Sequence, residues 1–238
     1  FIAREFLVSA GMGDVAGRVF HILNPEIVIE FAFEDGQEAE AGATLLKLHG
    51  PVKDVLRGER LALNLVQRLC GIATLTKKYV DQVVGLNVQI TDTRKTTPGL
   101  RMLEKYAVRV GGARNHRFNL SDGVLIKDNH IAACGSISQA VEKARVSVPH
   151  TIRIEVEAEN LAQVQECLDC QADIIMLDNM SSDIMRQAVQ LINGQALVEA
   201  SGGVNLETVR GIAETGVDII SVGRLTHSAP SSDISMAF

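Results

Sequence analysis

The segment ADIIMLDNMSSDIMRQAVQLINGQALVEASGG, residues 172–203, decides the fold. It begins with an apolar run, Ile174–Leu177, of the length and composition of a buried strand. A helical pattern that buries one apolar stripe follows at Ile184–Ile192, and a second strand pattern follows at Ala196–Val198. Two strands joined by a helix through short connections run parallel in one sheet, so the segment predicts a strand–helix–strand unit.

The same alternation extends outward from this unit in both directions. The other predicted strands are Val88–Thr91, Val124–Ile126, Ile152–Val156 and Ile219–Val222. The other predicted helices are Leu61–Val83, Ile137–Val146, Leu161–Leu168 and Leu206–Ala213. Repeated units of this kind predict an α/β barrel or a close relative.

The beginning of the chain has a different pattern. Strands are predicted at Ile27–Phe33 and Thr44–Leu48, with turns at Gly36 and Gly42 between them. We therefore expect a small α/β domain, residues 1–69, before a barrel domain, residues 70–238, with the boundary near 69–71. The last residues are able to pack back on the first domain. Because the chain starts with Phe1 and not Met, we expect an earlier segment to be missing.

Composition excludes several classes of protein. The 238 residues are 46% hydrophobic, but no apolar run approaches the ~18 residues of a membrane span. The formal net charge of -6 argues against a nucleic-acid partner. Four cysteines without dense spacing are typical of reduced thiols in a cytoplasmic protein. Cys167 and Cys170 form a CxxC inside a helical pattern, which favours a structural role over a zinc or redox site.

Local charge differs from the overall charge. The basic side chains cluster in one part of the sequence: Arg94, Lys95, Arg101, Lys105, Arg109, Arg114, Arg117 and Lys127, with His116 and His130. Only Glu104, Asp122 and Asp128 oppose them there. A basic cluster in an acidic protein indicates a focused pocket for a small anion. For Arg101, Lys105, Arg109 and Arg114 we expect instead a solvated helix face.

Polar or glycine-rich residues follow each predicted strand, where barrels place their active sites. They are Asp92, Thr93, Arg94 and Lys95, then Lys127, Glu155 with Glu157, Asp178, Ser201–Gly203, and Gly223 with Arg224. Arginine binds carboxylates through two parallel hydrogen bonds, and lysine suits pyrophosphate oxygens. Glu157 and Asp178 are suited to ribose hydroxyls or Mg²⁺, although buried ion pairs are the alternative.

Two glycine-rich strand ends, SGG at 201–203 and VGR at 222–224, predict a phosphate site. Glycines let backbone N–H groups approach an anion at the start of a helix. Barrels often build such a site from the loops after their last two strands. We therefore expect a substrate with a terminal phosphate.

Several longer motifs now resemble one family, the quinolinate phosphoribosyltransferases. They are NLVQRLCGIAT at 64–74, TRKTTPGLRMLEKYAVRVGG at 93–112, NHRFNLSDGVLIKDNHI at 115–131, IEVEAEN at 154–160, IMLDNM at 175–180, EASGGV at 199–204 and DIISVGRLT at 218–226. The resemblance is strong from residue 60 to residue 238 and weak before it. It implies an α/β sandwich, incomplete at its N-terminus, followed by the incomplete α/β barrel of a type II phosphoribosyltransferase.

The resemblance also implies an activity, partners and residue roles. The substrates would be quinolinate and phosphoribosyl pyrophosphate, with Mg²⁺ as cofactor, and the protein would be a homodimer with shared active sites or a higher oligomer. Arg68 would reach into the neighbouring subunit's site. Arg94, His116, Arg117 and Lys127 would hold the quinolinate carboxylates, with His130 nearby and Thr93 beside them. Lys95 and Lys127 would face the pyrophosphate, and Ser201, Gly202, Gly203, Val222, Gly223 and Arg224 the 5′-phosphate.

The carboxylates complete the implied set of catalytic residues, namely Lys95, Lys127, Glu157 and Asp178. Glu157 and Asp178 would hold the ribose hydroxyls and the metal, with Glu155 as the alternative to Glu157. Two departures from the family pattern are Cys70, where serine is common, and Arg224, where a small or apolar residue is common. Three rivals stay open: a paralogue encoded with molybdenum-transport genes, a phosphate-binding barrel without turnover, and an aldolase that uses Lys127 as a Schiff base.

Overall fold

A computed structural model describes all residues, 1–238, and divides them into two compact units, each discontinuous along the chain. The first unit contains Phe1–Val80, Lys95–Arg114 and Arg224–Phe238. The second unit contains Asp81–Arg94 and Asn115–Gly223. The expected boundary near residues 69–71 lies inside a long helix, Val52–Gln82, and stays a prediction.

Small antiparallel sheets build the first unit. Strand β1 (Ile2–Ala3) pairs with β12 (Ile234–Ser235), β2 (Leu7–Val8) with β4 (Glu38–Ala39), and β3 (Val28–Ala32) with β5 (Leu46–His49). The helical elements are a π-helical turn at Met12–Gly17, then α1 (Arg18–Leu23), α2 (Val52–Gln82), α3 (Arg101–Val110) and α9 (Arg224–His227).

Helix α2 contributes one face to the hydrophobic core of the first unit. Its buried face includes Leu69, Cys70 and Ile72, and burying a large aliphatic side chain stabilises a fold by about 1.5–3 kcal/mol. At Gly71 a Cβ atom would lie 1.9 Å from the carbonyl oxygen of Pro230, so only glycine permits this approach of the C-terminal segment.

A single parallel sheet forms the second unit. Its strands are β6 (Gln89–Thr91), β7 (Val124–Ile126), β8 (Ile154–Ala158), β9 (Ile174–Asp178), β10 (Leu197–Ser201) and β11 (Ile219–Ser221). Their order is β6-β11-β10-β9-β8-β7, so β6 and β7 are unpaired edges. The predicted incomplete α/β barrel is therefore confirmed. Its helices are α4 (Asp128–Cys134), α5 (Ile137–Ser147), α6 (Leu161–Asp169), α7 (Ser182–Ile192) and α8 (Val209–Ala213).

Several predicted boundaries differ from the structure, most of all that of the long helix, which begins at Val52 and not at Leu61. Two of the differences have local reasons. Helix α8 starts at Val209 and not at Leu206, because Asn205 Oδ1 accepts the N–H groups of Glu207 and Thr208 in a side-chain turn. Strand β8 starts two residues later than predicted, because Ile152 is still part of a turn that begins at Pro149.

The basic residues expected on a solvated helix face do not all lie on one. Arg109 and Arg114 are exposed, and Arg101 is partly buried and donates to Thr96 Oγ1 at 2.9 Å. The prediction is wrong for Lys105, which is only 2% exposed on the buried side of α3. All four cysteines are free thiols. No helix combines the length and the apolar character that crossing a membrane requires.

Candidate active site

Most of the predicted site residues end strands of the second unit at one edge of the sheet. Because all six strands are parallel, the residues at their carboxyl ends meet at this edge. It carries Thr93, Arg94, Lys127, Glu157, Asp178, Ser201 to Gly203, Val222 and Gly223, with Asn115 to Arg117 in the segment before β7. Lys95, Arg68 and Arg224 belong to the first unit.

Lys127 and Glu157 form an ion pair at this edge. Lys127 Nζ lies 2.9 Å from Glu157 Oε1 and 3.0 Å from Oε2. Lys127 is also the residue before α4, and its backbone N–H donates to His130 Nδ1 at 3.0 Å. Lys127 is therefore oriented by its place at the start of α4, and His130 contributes to the cap of that helix.

His116 lies against two buried carboxylates. Its Nε2 is 3.3 Å from Glu155 Oε2 and 3.5 Å from Glu199 Oε1. Burial lowers the pKa of His116, while the hydrogen bonds and charges of Glu155 and Glu199 act against burial and raise it. Burial, together with the charge of Glu199, raises the pKa of Glu155. The three groups titrate together, so these shifts belong to the cluster and not to one residue.

This cluster has the donor atoms of a divalent-cation site, since one ligand atom from each residue lies within 4.8 Å of the other two. The tautomer of His116 argues against that role. Its Nδ1 accepts the backbone N–H of Arg117 at 2.8 Å, so the ring hydrogen is on Nε2. Nε2 then faces the carboxylates as a hydrogen-bond donor and not as a metal ligand.

Asp92, directly after β6, anchors the segment that carries these cations. It is fully buried, and its carboxylate accepts Asn115 Nδ2 at 2.6 Å and the backbone N–H of His116 at 2.9 Å. Arg117 in turn donates to the carbonyl oxygen of Gly123 at 2.7 Å. Burial and the neighbouring charge of Arg94 lower the pKa of Arg117. Two guanidinium groups close enough to repel each other favour an anion between them.

The glycine-rich strand end Ser201–Gly203 adopts a conformation that side chains disfavour. Gly202 and Gly203 have φ values of 86° and 63°, and a Cβ atom on Gly202 would lie 2.3 Å from Asn179 Oδ1. Asn179 itself has φ 52° and donates to Asp178 Oδ2 at 2.8 Å. The predicted helix does not follow directly, because residues 204–208 precede α8. Because glycine has no Cβ atom, it adopts these φ values readily, and the loop backbone is left open for close approach by a ligand.

Arg68 has its hydrogen bonds inside the first unit. Its guanidinium donates to Glu104 Oε1 at 2.9 and 3.1 Å, to the carbonyl oxygen of Ala229 at 2.7 Å, and to that of Thr226. Thr226 Oγ1 donates to the carbonyl oxygen of Lys95 at 2.7 Å. These contacts fix the guanidinium of Arg68 within its own chain, and the predicted reach of Arg68 into a neighbouring subunit stays a prediction.

Sequence reasoning missed Glu199 and gave Asp92 no role. Glu199 lies inside the mainly apolar strand Leu197–Ser201, and Asp92 directly follows the strand Gln89–Thr91. A buried charge is retained only when it has a partner, so an acidic residue inside a strand is a usable signal. The sequence does not show that the partner of Glu199 is His116, 83 positions away.

Models of two family domains match the chain: the N-terminal domain of quinolinate phosphoribosyl transferase over residues 1–70, and the C-terminal domain over residues 72–237. A probable nicotinate-nucleotide pyrophosphorylase (carboxylating) of Bacillus subtilis is 50% identical over 217 residues, covering 91% of this chain and 75% of that protein. A mitochondrial quinolinate phosphoribosyltransferase (decarboxylating) of Nicotiana tabacum is 40% identical, covering 99% and 72%. The crystal structure of NadC from Streptococcus pyogenes has a TM-score of 0.95 at 45% identity, covering 100% and 84%.

Proposed function

The chain belongs to the quinolinate phosphoribosyltransferase family, and from that membership we propose that it transfers the phosphoribosyl group of phosphoribosyl pyrophosphate to quinolinate. The products are nicotinate mononucleotide, pyrophosphate and CO2, a step of NAD biosynthesis. One observation of the chain itself carries the proposal. Cations suited to carboxylates and carboxylates suited to ribose lie at or near the carboxyl ends of the parallel strands of one sheet.

In the proposed reaction the pyridine nitrogen of quinolinate attacks C1 of the ribose while the bond from C1 to pyrophosphate breaks. Arg94 and Arg117 bind the ring carboxylates and hold the nitrogen in line with that bond. Lys127 offsets the negative charge that develops on the leaving pyrophosphate. Glu157 and Asp178 accept hydrogen bonds from the ribose hydroxyls and stabilise the positive charge that develops on the sugar.

Decarboxylation follows from the first step. N-ribosylation makes the ring nitrogen cationic, and this cation stabilises the electron pair left on C2 when the adjacent carboxylate departs as CO2. A proton from solvent then bonds to C2 in place of the lost carboxylate. No side chain is required as a general base.

Glu157 and Asp178 fit a magnesium ion that binds with the substrate. They are partly buried carboxylates at the carboxyl ends of neighbouring strands, and Mg²⁺ prefers oxygen ligands from one or two carboxylates. When bound, the ion would draw negative charge from the leaving pyrophosphate. The Ser201–Gly203 and Val222–Arg224 loops are proposed to hold the 5′-phosphate, with Lys95 facing the pyrophosphate.

The aldolase alternative is disfavoured by the site. A lysine that forms a Schiff base needs its amine free to attack a carbonyl carbon, and Lys127 Nζ is held by both carboxylate oxygens of Glu157. A homodimer with shared active sites is part of the proposal and rests on the family resemblance. Light scattering coupled to size exclusion tests it, and a monomer that turns over substrate would contradict it.

The activity is tested by incubating the protein with quinolinate, phosphoribosyl pyrophosphate and Mg²⁺, with nicotinate in parallel. We expect CO2 and nicotinate mononucleotide to form in equal amounts from quinolinate. Turnover of nicotinate alone, or binding of phosphoribosyl pyrophosphate without CO2 release, would overturn the proposal.

A further inference from the structure

Glu155 and Glu199 are buried carboxylates that the proposed reaction does not use. They are 4% and 2% exposed and lie on β8 and β10. Oε1 of each has no hydrogen-bond partner, although Glu199 Oε1 lies 3.5 Å from His116 Nε2. Burying two carboxylates is costly unless something nearby offsets it. Both carboxylates face the imidazole of His116, and this ring offsets the cost of their burial.

His116 connects these carboxylates to Arg117. On one side of the ring, Nε2–H faces Glu155 and Glu199, and on the other side Nδ1 holds the backbone N–H of Arg117 at 2.8 Å. The backbone N–H of His116 is itself held by Asp92 at 2.9 Å. The ring is therefore held from both sides, and it sets the position of the Arg117 backbone relative to β8 and β10.

Charge acts in the same direction as geometry. Arg117 is close enough to Glu155 for the carboxylate to favour its charged form, against the effects of burial and of Arg94. Removing a carboxylate would therefore loosen the imidazole of His116. It would also leave less negative charge to balance the guanidinium groups of Arg94 and Arg117.

We infer that Glu155 and Glu199 are positioning residues for the dicarboxylate substrate, which act through His116 to hold Arg117 in place. The inference rests on the proposed function, because Arg117 is there the residue that binds a quinolinate carboxylate. It changes the role of His116, since both ring nitrogens are directed at protein groups. The ring then supports the carboxylate site from behind.

The test measures quinolinate affinity by isothermal titration and both KM values by steady-state kinetics in Glu199→Gln and Glu155→Gln. We expect quinolinate Kd and KM to rise about 10-fold, as for loss of one hydrogen bond to a charged group, with the phosphoribosyl pyrophosphate KM within about twofold. Glu214→Gln, an exposed carboxylate of the same unit, is the matched control. Circular dichroism and Tm identify variants that have lost the fold. The inference is then judged on the quinolinate Kd of the variant that keeps the fold.

A double-mutant cycle separates positioning from general stability. In a His116→Ala background, Glu199→Gln should have no further effect on quinolinate Kd, because its route to Arg117 is already lost. An undiminished effect in that background, an equal rise of both KM values, or unchanged quinolinate affinity in both glutamine variants would overturn the inference. Wild-type protein that binds quinolinate without releasing CO2 would instead overturn the proposed function, and the Kd values would still decide the inference.

Discussion

Arg68 Nη2 lies 2.9 Å from Glu104 Oε1 in an ion pair whose side chains are 21% and 0% exposed. Glu104 also accepts the backbone N–H of Thr97 at 3.0 Å and the hydroxyl of Thr97 at 2.7 Å. The pair therefore connects α2 to the segment Lys95–Thr97, which follows the proposed carboxylate site along the chain. Its partners are all in the first unit.

Replacing Arg68 with Ala should destabilise the protein by about 3–5 kcal/mol, because Glu104 would stay buried without its cation. Urea unfolding measures the change. Arg57→Ala is the control on the same helix, since its exposed pair with Asp54 should contribute less than about 1 kcal/mol. In mixed dimers with Lys127→Ala, part of the activity should return, because the proposed shared site is rebuilt once from the two intact halves. Absence of recovery in confirmed heterodimers would contradict the shared-site role of Arg68.

Replacing Arg117 with Ala should raise the quinolinate KM about 100-fold and leave the phosphoribosyl pyrophosphate KM nearly unchanged, because a bidentate carboxylate contact is lost. Steady-state kinetics with each substrate varied in turn measures both constants. Arg114→Ala, an exposed neighbour, is the control. Equal effects on both constants would contradict the assignment.

Replacing Glu157 with Gln should increase the Mg²⁺ concentration that gives half the maximal rate, because one oxygen ligand loses its charge. Titrating Mg²⁺ at saturating substrates measures this. Glu159→Gln changes an exposed carboxylate of the same segment and should leave the titration unaltered. A Glu157→Gln protein with the wild-type Mg²⁺ dependence would remove Glu157 from the metal site.

Replacing Gly202 with Ala should raise the phosphoribosyl pyrophosphate KM and destabilise the protein by about 1–2 kcal/mol. The residue has φ 86°, and its Cβ would lie 2.3 Å from Asn179 Oδ1. Gly211→Ala is the matched control, because that position is helical with open space, and it should stabilise by about 0.5–1 kcal/mol. Thermal unfolding and kinetics compare the two variants, and equal behaviour would exclude a special role for Gly202.

Cys70 and Cys167 should resist alkylation at pH 8 in the native protein. Burial raises the pKa of each thiol to about 12, so almost no thiolate is present at pH 8. Cys134, which is partly exposed, should react first. Mass spectrometry of native and urea-unfolded samples locates the label. Rapid native labelling of Cys70 would contradict its burial against Ala10.

The parallel sheet and the edge that carries the proposed site were predictable because the signals are local. The apolar runs at Ile174–Leu177 and Val124–Ile126 are strands in the structure, with Asp178 and Lys127 at their carboxyl ends. Side-chain competition was not predictable in the same way. The turn at Asn205 delayed α8, and the packing of α3 buried Lys105, since both depend on contacts that periodicity does not report.

The strand–helix alternation, the family and the residue types at the strand ends are readable from the amino-acid sequence, because they depend on neighbouring positions in the chain. Which residues act together became visible in the folded structure. It brought His116 between Glu155 and Glu199, and it bound Arg68 to Glu104 within its own unit. Such pairings depend on buried charges finding partners across the fold, and the free energy of burial selects those partners without regard to their separation in sequence.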